Sequence, residues 1–105
     1  MIRPAPPFLY RTTALVVCPE ALPDVLDAMR TLAEHALRHE PATRLCAWLQ
    51  DDTRPTNILR VGVFDDEDAE RAHQASLPAR RLACLLQEAA AEPPAEASWH
   101  PLAGI

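Results

Sequence analysis

TRLCAWLQ, residues 43–50, and ILRVGVF, residues 58–64, decide the fold. Both runs alternate, and successive side chains on a strand point to opposite faces. In the first, Leu45, Ala47 and Leu49 share one face, and Arg44, Cys46, Trp48 and Gln50 share the other. In the second, Leu59, Val61 and Val63 oppose Ile58, Arg60, Gly62 and Phe64. The intervening DDTRPTN, residues 51–57, is turn chemistry. Two alternating runs joined by a short polar loop predict an antiparallel hairpin.

The flanking segments complete the topology. TTALVVC, residues 12–18, is β-branched and apolar, and Pro19 stops it, which predicts a first strand. From Pro23 to Arg38 the apolar residues Leu22, Val25, Leu26, Met29, Leu32, Ala33, Ala36 and Leu37 recur at helical spacing. Pro23 fits only the first turn, and Pro41 ends the helix. After the hairpin, Asp65, Asp66, Glu67, Asp68 and Glu70 crowd the start of a second helix, where the positive end of the dipole favours acids. Pro78 starts a third helix with a stripe of Leu82, Leu85, Leu86 and Ala89, and Pro93–Pro94 break it. Residues Ala97 to Leu102 are a candidate last strand, with Pro101 confining it to an edge or an end. The order β-α-β-β-α-(α)-β is the split βαβ of an α+β, ferredoxin-like domain. It implies a four-stranded antiparallel sheet with helices on one face.

The 105 residues suit a single domain over 12–105, preceded by an extended arm over 1–11 that carries Pro4, Pro6 and Pro7. A hydrophobic fraction of 49% is enough for a core. Ten basic residues, all of them Arg, against fifteen acidic ones give a net charge of -5. That balance disfavours phosphate-driven nucleic-acid binding. The longest apolar runs are far too short for a bilayer, and MIRPAPPFLY has no apolar signal core, so no membrane or secretion role is expected. Cys18, Cys46 and Cys84 are odd in number and widely spaced, which fits reduced thiols in a cytoplasmic protein.

The two hairpin faces differ in chemistry. The aliphatic face, Leu45 to Val63, is the expected seat of the helices. The mixed face holds Cys46, Trp48, Arg60 and Phe64. It suits a subunit interface that also lines a small-molecule cavity, formed by two sheets packed face to face in a symmetric dimer.

At this point the chain resembles a family. Glu40-Pro41-Ala42, the hairpin, and then Asp66, Ala69, His73 and Ser76 in register over residues 13–102 look like the antibiotic biosynthesis monooxygenases, whose protomers pair as dimeric α/β barrels. The resemblance implies a homodimer of ferredoxin-like protomers. It also implies a monooxygenase that oxidises a quinol or phenolic small molecule with O2 and needs no metal or flavin cofactor. Where that family often has Gly, Tyr and Glu-x-Trp, this chain has Ala42, Cys46, and Gly62 with Phe64. Those departures keep a non-catalytic ligand-binding or assembly dimer, and a polyketide cyclase or isomerase, as alternatives.

His73 is the residue that matches. Helical geometry sets it about 40° from Ala69, on the apolar side of its helix. It is either a general base toward a phenolic ligand or a buried histidine bonded to a strand end. Arg60 would offset a phenolate or superoxide charge, or form an ion pair. Trp48 and Phe64 would stack on an aromatic ligand or pack an interface. Cys46 would face the ligand as a nucleophile or as a small buried residue. His35 and His39 have a metal-compatible spacing, but no third ligand is evident, so no metal is expected.

Overall fold

The structure is a computed structural model and describes residues 8–104. β1 is Leu9–Val16, α1 Leu22–His39, β2 Thr43–Gln50, β3 Asn57–Phe64, α2 Glu67–Ala75, α3 Leu77–Ala89 and β4 Ala95–Trp99; a 3-10 turn at Pro19–Ala21 leads into α1. The four strands form one antiparallel sheet in the order β2-β3-β1-β4. This is the ferredoxin-like arrangement that the alternating hairpin predicts. Residues 1–7 of the expected arm lie outside the described residues, and Leu9 to Arg11 are already strand. The last strand starts and ends earlier than its apolar pattern indicated, stopping before Pro101.

Local chemistry sets the ends of the elements. Asp66 caps α2, its carboxylate accepting from the Ala69 amide at 2.8 Å. Ser76 ends α2 and caps α3, and Pro78 sits in the first turn of α3. In the hairpin loop, Asp51 accepts from the Thr53 and Arg54 amides, which holds its carboxyl below the usual carboxylate range. Most of the α1 stripe is core, with Val25, Met29, Leu32 and Ala36 buried. Leu37, at the stripe's edge, is exposed.

The register corrects the expected assignment of faces. Leu15 of β1 pairs with Ile58 of β3, and both are 3% exposed in the core beneath α1 and α3. Ile58, Arg60, Gly62 and Phe64 therefore face the protein's own helices, and Cys46 and Trp48 pack toward the same core. The aliphatic face is the open one: Leu45 is 44% and Leu49 53% exposed. The Trp48-bearing surface, expected to meet a second chain, is thus covered by the protein's own helices. The physical reason is space. A Cβ on Gly62 would lie 2.9 Å from Phe64 Cε2 and 3.3 Å from Arg60 Nη2. The missing side chain lets the Phe64 ring and the Arg60 guanidinium fold over the strand. A face containing an Arg and a Trp can in this way be closed by helices.

Candidate functional site

Helices α1 and α3 do not fill the space above the sheet. They leave a cavity of about 630 Å³, within the size range of small-molecule sites. Leu32 of α1, Trp48 and Arg60 of the sheet, His73 of α2, and Leu82 and Leu86 of α3 line it. Residues Ala90 to Pro94 and Glu96 form its far side. The structure therefore brings together His73, Arg60 and Trp48. It does not bring Cys46 or Phe64 to the lining. Phe64 is fully buried and supports the His73 ring, with centroids 5.2 Å apart. Cys46 is packed against the core, where burial pushes its thiol above the ordinary range.

His73 is 2% exposed and is the buried residue of a short helix that is otherwise polar. Its Nδ1 lies 2.6 Å from Glu40 Oε1. An ionised carboxylate only accepts, so Nδ1 carries the hydrogen and donates it. The nitrogen left with a lone pair is Nε2. Glu40 is itself fixed from two sides: Thr43 Oγ1 donates to Oε1 at 2.8 Å, and His35 Nε2 stands 3.4 Å from Oε2, an ion-pair distance rather than a good hydrogen bond.

Two features place Glu40 here. It is the residue at which α1 ends before Pro41, so its side chain turns inward at the helix terminus. The second is a bulge. Thr43 pairs with Phe64 and Leu45 with Val63, leaving Arg44 as an extra residue. By alternation Thr43 would share the open face with Leu45; the bulge moves it to the helix face, where its hydroxyl reaches Glu40. Sequence reading quoted Glu40 within a motif but gave it no role. Its signal was its place at a helix end seated over the hairpin.

His35 turns toward Glu40 rather than standing free beside His39. Its ring packs on His39 at 5.0 Å. Among the described residues no group of three or more His, Cys, Asp or Glu is placed to hold a metal. No helix there is long and apolar enough to cross a membrane.

A second, smaller hollow of about 270 Å³ adjoins the cavity and shares Thr13, Arg60, Gln74 and Glu96 with it. Its wall is polar. Arg11 donates to both Glu70 oxygens, at 2.9 and 3.3 Å, and to Ser98 Oγ at 2.7 Å. The Glu70 contact raises the Arg11 pKa. Arg60 forms no ion pair with any described carboxylate, and neither its Nε nor Trp48 Nε1 has a hydrogen-bond partner among the described residues.

Sheet, helices and open cavity define an α+β, ferredoxin-like domain with a histidine-bearing pocket between its layers. The family model described as antibiotic biosynthesis monooxygenase matches residues 9–83, and the chain belongs to that family. Solved structures share the fold. A candidate antibiotic biosynthesis monooxygenase from Nitrosomonas europaea is 17% identical over 97% of this chain and 96% of its own, with a TM-score of 0.83. One from Caulobacter crescentus is 13% identical over 94% and 93%, with a TM-score of 0.83. A third antibiotic biosynthesis monooxygenase is 22% identical over 90% and 99%, with a TM-score of 0.80. No curated protein matches the chain.

Proposed function

We propose that the protein is a monooxygenase that oxidises a quinol or phenolic small molecule with O2 in the cavity under α3, using no cofactor. The observation that carries this is the Glu40–His73 pair, a buried base with an orienting carboxylate, on the lining of an apolar cavity. The substrate O–H gives its proton to His73 Nε2, and Glu40 stabilises the resulting imidazolium through Nδ1. Arg60 offsets the charge of the phenolate. The electron-rich anion passes an electron to O2, and the two radicals join at a ring carbon. The imidazolium returns its proton to the peroxide, and loss of water, which takes the ring hydrogen, leaves a new carbonyl. One oxygen atom enters the product, the other leaves as water, and the substrate supplies all four electrons. Glu40 is a positioning residue in this scheme, since it acts through His73.

O2 uptake with a panel of quinols and naphthols tests the reading. His73→Ala is expected to lower the rate by about 10²- to 10⁴-fold, the usual worth of general base catalysis. Glu40→Gln lowers kcat by a smaller factor, with KM little changed and an altered His73 tautomer in ¹⁵N spectra. Equal background rates in wild type and His73→Ala overturn the assignment.

The same reading includes self-association, with the open sheet face as the contact. Leu45, Leu49, Leu59, Val61, Ala14 and Trp99 all lie on that face. An apolar surface of this kind is rare on a monomer, and a two-fold contact of one face with its copy removes it from water.

A further inference from the structure

The site has two compartments of unlike chemistry, and Thr13, Arg60, Gln74 and Glu96 belong to both. The larger is walled by Leu32, Leu82 and Leu86, and the smaller by Arg11, Glu70 and Ser98. Arg60 lines the two together. The charges at the junction are unequally committed. Arg11 is consumed by Glu70, which it grips with two donors. Glu96 is exposed on the edge strand β4 and forms no ion pair with a described residue. Arg60 is half-buried on a central strand, and its guanidinium meets no carboxylate among the described residues. A half-buried guanidinium costs solvation and retains a planar fork of donors matched to a carboxylate.

We propose that the ligand is an aromatic acid: a fused-ring phenol whose ring body fills the apolar compartment and whose carboxylate, next to the phenol oxygen, is bound by Arg60 at the mouth of the polar one. This rests on the reading of the cavity as the substrate site and adds the class of substrate. The five donors of the fork allow one guanidinium to hold the acid and face the neighbouring phenol oxygen. Glu70 does not oppose the acid, because Arg11 neutralises it. Glu96 does oppose it, and sets the limit on affinity.

Binding, not turnover, tests this, so that it stands or falls apart from the oxygenase reading. The probes are 1-hydroxy-2-naphthoate and 1-naphthol, titrated calorimetrically into the full chain at low salt. The wild type is expected to bind the acid about ten- to a hundredfold more tightly, the worth of a charge-assisted hydrogen-bonded pair. Arg60→Met abolishes the preference and Arg60→Lys keeps part of it. Glu96→Gln, on the exposed edge strand, tightens the acid severalfold and by more than it changes 1-naphthol. Equal affinities in the wild type, failure to bind either probe at millimolar concentration, or a Glu96→Gln variant that does not favour the acid overturns the proposal. Acid preference without O2 uptake leaves it standing and removes the monooxygenase.

Discussion

The two faces of the sheet are opposites. The inner face mixes an arginine, a tryptophan, a glycine and a cysteine, yet Ile58 and Phe64 on it are shut away from water. On the β2–β3 hairpin the outer face is purely aliphatic, yet three of its leucines, Leu45, Leu49 and Leu59, are exposed. Purity of hydrophobic pattern therefore does not mark the face that a protein's own helices cover. It marks residues that some neighbour removes from water, and the neighbour here is proposed to be a second chain. The inner face tolerates mixed chemistry because it has a function besides packing: it forms the floor of a cavity.

The largest effect expected from this contrast is on the inner face. Phe64→Ala removes a fully buried ring that supports His73 and is expected to cost about 3–5 kcal/mol in denaturant unfolding. Leu49→Glu, on the outer face, is expected to preserve the circular dichroism of the fold and to shift the particle mass in light scattering from two chains to one. A variant that unfolds outright, or one that leaves the mass unaltered, breaks the contrast. Gly62→Ala comes next. The added methyl meets a ring that has nowhere to go, and about 1–3 kcal/mol of overpacking is expected in thermal unfolding. A neutral outcome would show that the inner face is looser than its contacts imply.

The smallest effect concerns the thiols. Cys84 is exposed on α3, whereas Cys46 is packed beneath the helices with its pKa raised by burial. Only the thiolate reacts with an alkylating reagent, so raising the pKa lowers the reactive fraction at a given pH. Cys84 is expected to be labelled first at neutral pH, with Cys46 following slowly and gaining rate only as pH rises beyond the ordinary thiol range. Mass mapping of the labelled peptides sharpens the distinction between inner face and surface.

Much of this molecule was legible in the sequence because its elements are marked by local chemistry. Alternation marked β2 and β3, proline marked the starts of α1 and α3, and the acidic run marked the start of α2. His73 was legible because one histidine stood on the less polar side of a charged helix. Which face of the hairpin lies inward was not legible. Alternation fixes which residues share a face but says nothing of direction, and the closest-packed residue, Gly62, has no side chain to reveal itself. The Glu40–His73 pair was hidden for a different reason. It joins residues 33 apart in sequence through a helix end, which Pro41 marks, and a one-residue bulge, which has no compositional signature. Thr43 illustrates the loss: plain alternation puts it on the wrong side.

One serine has a wider consequence. Ser76 donates from both its amide and its hydroxyl to the carbonyl of His73, at 3.2 and 2.8 Å, while that same hydroxyl accepts from the Ala79 amide at the head of α3. The leucine wall of the cavity and the imidazole opposite it are thus hung from a single pivot. A change that removes the Ser76 hydroxyl therefore loosens the wall and the base together.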